Sequence, residues 1–96
     1  MSDLFAVRTT SRFDRLLKKL SRGHPNLAPR FAEALAILRT DPYNRTRAHR
    51  IKKLQDVKPE DGLYRLRLGR WRFRFNVWGH EVELTYCGLR REETYR

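Results

Sequence analysis

Ninety-six residues suffice for one domain with a single core and are too few for two. Lys+Arg 22 against Asp+Glu 11 leaves a net charge of +11, which points to a polyanionic partner: nucleic acid first, then an acidic protein or an anionic membrane surface. No stretch approaches the roughly 18 apolar residues of a spanning helix, the opening Met1-Ser-Asp-Leu-Phe-Ala-Val-Arg8 lacks the apolar run of a secretory signal, and Cys87, the only cysteine, excludes an internal disulfide and a cysteine-built metal site.

His24, His49 and His80 lie far apart in sequence and show no ligand spacing. The expected setting is cytoplasmic, with no membrane partner, no cofactor and no metal. Leu4 to Arg8 predicts a short first strand, and Thr9-Thr10-Ser11 then offers hydroxyls to cap the donors of a helix. Phe13, Leu16, Leu17 and Leu20 recur at i, i+3, i+4 and i+7, one apolar helical stripe. This helix is expected to stop near Gly23, with His24-Pro25-Asn26 as a turn before a second helix from about Pro29 to Arg39. Phe31, Ala34, Leu35 and Leu38 form its buried stripe. Neither helix is long enough to stand alone, so both are expected to pack as a hairpin on the apolar face of a sheet. Asp41-Pro-Tyr-Asn44 reads as a turn, and Arg45 to Lys58 as a basic connector whose Ile51 and Leu54 dock on the core.

From Gly62 to Val77 apolar and basic residues alternate with period two, and Gly69-Arg70 has the Gly-X form of a type II′ turn. That turn sets Leu68 against Trp71, Arg67 against Arg72, Leu66 against Phe73 and Arg65 against Arg74. A second Gly-X turn at Gly79-His80 pairs Val77 with Val82, Phe75 with Leu84 and Phe73 with Tyr86. The polar rows are then expected to read Arg65–Arg74–Thr85 and Arg67–Arg72–Cys87. Like charges directly opposite one another destabilise a ladder, and carboxylates on these strands occur only at Glu81 and Glu83. A solvated charged face normally mixes both signs. A face this rich in guanidinium suits phosphate. Trp71 shares its face with Phe73 and reads as core, while Trp78 is either core filler or a base-stacking platform. His80 reads as structural or solvated, and Cys87, on the arginine face, as a small filler rather than a nucleophile. The expected class is α+β: one domain spanning 1–96, an antiparallel sheet with a two-helix hairpin packed on one face. Periodicity does not say where the first strand joins.

Arg50-Ile-Lys-Lys-Leu54, Gly62-Leu-Tyr-Arg-Leu-Arg-Leu-Gly-Arg-Trp-Arg-Phe-Arg-Phe75 and the ending Gly88-Leu-Arg-Arg-Glu-Glu-Thr-Tyr-Arg96 together resemble the RelE/ParE superfamily of bacterial toxins from type II toxin–antitoxin pairs. The likeness spans nearly the whole chain, including Phe13-Asp-Arg-Leu-Leu-Lys-Lys-Leu20, and is most specific in the C-terminal half. It implies a RelE-like toxin fold and a toxin that cleaves messenger RNA in the ribosomal A site, the RNA's own 2′-hydroxyl attacking the adjacent phosphate. The implied partners are a cognate antitoxin with an acidic segment, the ribosome and messenger RNA. By the same resemblance the family's basic pair falls on Arg65 and Arg67 after Tyr64, its third-strand arginine on Arg72, and its post-strand arginine on Arg90 or Arg91. Tyr95 matches a near-terminal tyrosine that stacks on a base or orients the ribose. Lys52, Lys53, Arg74 and Arg91 are expected to add RNA-binding charge. RelE proper carries lysines where this chain has arginines, and a guanidinium is a poor proton acceptor at neutral pH. The general base is therefore open among Lys52, Lys53, His49, Glu92 and Glu93. A ParE-like gyrase inhibitor without nuclease activity, or an inactive basic nucleic-acid-binding module, are the alternatives.

Overall fold

In chain order the elements are β1 (Ala6–Thr9), α1 (Ser11–Ser21), α2 (Leu27–Thr40), β2 (Ile51–Lys53), a 3-10 turn at Pro59–Asp61, β3 (Tyr64–Leu68), β4 (Trp71–Trp78) and β5 (Glu81–Leu89). The structure, a computed structural model, describes residues 4–90. Its five strands form one sheet in the order β1-β5-β4-β3-β2.

Two glycine turns dictate the centre of that sheet. Gly69 and Gly79 both sit at φ 61°, whereas Arg70 and His80 keep negative φ, as a type II′ turn requires. The β3–β4 register is the expected one, Leu68 against Trp71, Arg67 against Arg72, Leu66 against Phe73 and Arg65 against Arg74. Between β4 and β5, Val77 opposes Val82 and Phe75 opposes Leu84, also as expected. Beyond that point a bulge at Arg74/Phe75 shifts the register, so that Arg74 opposes Tyr86, Phe73 opposes Cys87 and Arg72 opposes Gly88. Thr85 is the extra residue, and one inserted residue moves everything after it to the other face. The expected rows ending in Thr85 and Cys87 are thus corrected to rows ending in Tyr86 and Gly88. Cys87 lies in the apolar core, fully buried, and that burial pushes its thiol pKa up to about 12.

The sheet is mixed rather than purely antiparallel. β1 runs parallel to β5, with Val7 beside Val82 and Thr9 beside Leu84. A hairpin forces antiparallel pairing, but β1 is separated from β5 by both helices and obeys no turn. Its register is reinforced by Arg8, which reaches Glu81 Oε1 at 3.1 Å and Glu83 Oε2 at 3.0 Å. The basic connector also contributes an unexpected strand: β2 pairs antiparallel with β3, Ile51 against Leu66 and Lys52 against Arg65.

α1 begins where Thr10 Oγ1 accepts from the Phe13 N–H at 3.1 Å, the expected cap. It ends near Gly23, whose N–H donates to Leu20 O. α2 starts at Leu27, two residues before the expected Pro29, because a proline in the first turn has no intrahelical acceptor to lose. Leu27, Ala34 and Leu38 from α2 and Phe13 from α1 are buried with Leu66, Trp71, Phe73, Phe75, Val82 and Leu84 of the sheet. Both helices therefore cover the apolar face, and the opposite face is left to the cations.

The loop between α2 and β2 is organised by Asp41. Its carboxylate accepts from the Arg45 N–H at 2.7 Å and from the Thr46 hydroxyl at 2.6 Å and N–H at 3.2 Å. Burial pushes the Asp41 carboxyl up, but these donors outweigh it and hold the pKa below its ordinary value. Asn44 closes the next turn by exchanging hydrogen bonds with the His49 backbone. Among the described residues no helix is long and apolar enough to cross a membrane.

Candidate nucleic-acid interface

Side chains alternate across a strand, so residues two apart share a face and cross-strand partners stand side by side. Applied to the observed register, that rule builds a grid on the face away from the helices. One row runs Lys52–Arg65–Arg74–Tyr86. The next runs Arg67–Arg72–Gly88. It is extended by Arg50, whose carbonyl accepts from the Arg67 N–H at 3.0 Å just before β2. Neighbouring strands are about 4.8 Å apart, so the guanidinium stems are packed at close quarters.

Electrostatics registers that crowding. Like-charge repulsion from Arg50 foremost, then burial, then repulsion from Arg90, Arg72 and Arg65, lowers the Arg67 pKa from its ordinary value. Arg90 joins from just past β5, where its N–H donates to Arg70 O at 2.9 Å. The cluster thus unites Arg65, Arg67, Arg72 and Arg90, residues expected to act together, with Arg50, which the sequence did not single out. The signal for Arg50 was its parity with Lys52, legible only once β2 is recognised as a strand.

The cations differ in what they have left to offer. Arg72 is only 6 % exposed. Arg74 spends its Nη2 on the Gly62 carbonyl at 3.0 Å, so part of its donor set is committed to the fold rather than to a ligand. Arg50, Lys52 and Arg90 are exposed, and Arg65 and Arg67 half-buried. Lys53 pairs with Tyr64 and has the opposite parity, off the grid. It nevertheless lines, with Lys52, Leu54, Gln55 and Arg65, a cleft of about 430 Å³ at the β2 edge. Tyr95, Arg91, Glu92 and Glu93 lie outside the described residues. His49 turns its Nε2 toward Asp41 Oδ2 at 3.8 Å, into the α2–β2 loop. Trp78 is 48 % exposed and its indole N–H donates to Glu83 Oε1 at 3.3 Å, so it is not core filler. Trp71, at 1 % exposure, is core.

Asn76 closes the lower end of the polar face. Its Oδ1 accepts from the Leu63 N–H at 2.8 Å, and its Nδ2 donates to Pro59 O at 2.7 Å and Glu83 Oε1 at 3.1 Å. These bonds clamp the Pro59–Gly62 segment over the sheet. Gly62, at φ 89°, sits so close that a side chain there would strike Thr85 Oγ1 and Arg74 Cβ. At the upper end, Tyr86 lies across Gly88, since a Cβ at Gly88 would collide with the Tyr86 hydroxyl. Arg12 of α1 stacks on the Tyr86 ring at 5.5 Å while its Nη1 reaches Asp61 Oδ1 at 2.8 Å. The open part of the face is therefore framed by Tyr86 on one side and the β2 edge on the other. Among the described residues no group of His, Cys, Asp and Glu is placed to hold a metal ion.

Compared with protein-family models, with curated proteins and with solved structures, the chain finds no match.

Proposed function

We propose that this chain is the toxin of a type II toxin–antitoxin pair, a ribosome-dependent endoribonuclease that inhibits translation by cutting messenger RNA in the cytoplasm. The observation that carries the proposal is the row Arg50–Arg67–Arg72 beside Lys52–Arg65, a face whose cations repel one another enough to lower the Arg67 pKa. Such a face is relieved by phosphate. The RelE/ParE resemblance supplies the reaction.

In that reaction the 2′-oxygen forms a bond to phosphorus and the P–O5′ bond breaks. The 2′-hydroxyl loses its proton to solvent or to a base, and the departing 5′-oxygen takes one up. Charge develops on the non-bridging oxygens, where fixed guanidinium groups stabilise the transition state without reorganising. Arg65, Arg67, Arg72 and Arg90 take that role, with Lys52 and Arg50 holding flanking phosphates. Arg74 contributes mainly through its charge, given its bond to Gly62. Tyr95 keeps the ribose- or base-positioning role that the resemblance implies. The partners are an acidic antitoxin segment, which would neutralise the same face, and the ribosome.

Induction of the chain in cells, with translation, messenger RNA integrity and DNA supercoiling followed in parallel, tests the proposal. Arrested translation with cut message supports it. Blocked gyrase with intact message supports the ParE-like reading instead, which draws on one observation: the arginine shared by both branches, Arg72, is the one almost withdrawn from solvent.

A further inference from the structure

The grid ends in a tyrosine and a glycine that behave as one device. Tyr86 opposes Arg74, and Gly88 opposes Arg72. The Tyr86 ring does not stand over its own row. It leans along β5 until its hydroxyl occupies the space above Gly88, which is the space beside Arg72 in the next row. Arg12 lies on the ring at 5.5 Å and is itself anchored on Asp61, so the lean is braced from α1. Gly88 has an ordinary backbone conformation there, with no positive φ to demand a glycine. What excludes a side chain at position 88 is the phenol.

We propose that Tyr86 is a phosphate ligand of the arginine face, its hydroxyl donating to an oxygen of the RNA phosphate that Arg67 and Arg72 hold, and that Gly88 is the vacancy that lets it do so. The proposal rests on the nucleic-acid role of this face but not on cleavage. A phenol suits the position. It is a neutral donor that adds a directed hydrogen bond where a further cation would only increase repulsion, and its ring shields the arginine row from water, strengthening each charge-assisted bond.

The test uses the full chain and a short single-stranded RNA with 2′-O-methyl groups throughout, which can bind but carries no attacking hydroxyl. Binding is read by fluorescence anisotropy at fixed salt, with thermal melts as the folding control. Tyr86→Phe keeps the ring, the Arg12 stack and the fit to Gly88, and removes the hydroxyl alone. It is expected to weaken binding about tenfold, the factor typical of a hydrogen bond to a charged group. Gly88→Ala leaves every charge in place but pushes the phenol aside, and is expected to weaken binding to a similar degree. In the Tyr86→Phe background the Gly88→Ala loss should shrink to less than about twofold, because both changes remove the same bond. Equal binding by Tyr86→Phe and the unaltered chain overturns the proposal, as does failure of the unaltered chain to bind this RNA. A chain that binds as expected yet leaves natural message uncut on ribosomes removes the nuclease function and leaves the Tyr86 assignment standing.

Discussion

Arg67 stands directly opposite Arg72 across the β3–β4 ladder, and Arg50 is hydrogen-bonded on the other flank of Arg67, so three guanidinium stems line up across three strands. No arrangement made for stability alone would choose this. Arg67→Ala should therefore leave the melting temperature unchanged or slightly raised, while lowering toxicity and cleavage on the order of 10²-fold, the loss typical of removing one transition-state donor. Arg72→Ala should lose activity too, but with some loss of stability, because an arginine 6 % exposed packs its stem as well as carrying charge. Thermal melts set beside growth curves separate the two effects. An Arg67→Ala variant that melted well below the unaltered protein would contradict the assignment of Arg67 to function.

Asp41 should make the fold acid-sensitive. Its carboxyl is held below the ordinary value of 3.8 by Thr46 and Arg45, so above that value the folded state gains stability from the charged form. The gain disappears as pH falls through the lowered folded pKa. Asp41→Asn keeps one acceptor oxygen where the Thr46 donors and the Arg45 N–H need two, and sets an NH2 against one of them, so it should cost about 1–3 kcal/mol at pH 7. Denaturant titrations should show the two proteins converging toward pH 2. A gap that stayed constant from pH 7 to pH 2 would mean that the carboxylate charge does not organise this loop.

Asn76 is the hinge between the polar face and the segment that covers its lower end. Asn76→Ala would strand the Leu63 N–H and the Pro59 carbonyl at once, at a cost of about 2–3 kcal/mol. Hydrogen exchange should accelerate first at Leu63 and at the amides of Glu60, Asp61 and Gly62, ahead of the β4–β5 ladder. Uniform acceleration over the whole sheet would show that the segment is not a separate unit.

Cys87 should be inert in the folded protein. Fully buried and with its thiol pushed up to about 12, it carries almost no thiolate at neutral pH. Alkylation at pH 8 should proceed at the rate of unfolding and accelerate with denaturant. Rapid labelling under native conditions would place Cys87 on the surface, where the unbulged register would have put it.

What the sequence reveals and what it hides divide along physical lines. The Gly69 and Gly79 turns are legible because each needs a backbone conformation that few residues adopt, and the β3–β4 register follows from the turn alone. The helical stripes are legible from their spacing. The bulge at Thr85 is not, because Thr85-Tyr86-Cys87 alternates plausibly in either phase and a tyrosine fits both a core and a polar face. β2 is hidden by its brevity, and its strand character comes from pairing with β3 rather than from its own composition. The parallel docking of β1 has no local signal, since only tertiary contacts decide it. The bulge relocates Cys87 to the core and sets Tyr86 beside Gly88 on the polar face, and β2 brings Arg50 into the site.

The most direct measurement is the chemistry of the RNA ends in a ribosome-programmed reaction with purified chain. The proposed mechanism predicts a 2′,3′-cyclic phosphate or 3′-phosphate on the upstream fragment and a free 5′-hydroxyl on the downstream one, with naked RNA cut far more slowly than message on ribosomes, where the attacking oxygen is held in line. Fragments carrying 5′-phosphate, or cleavage of free RNA as fast as of ribosome-bound message, would contradict it.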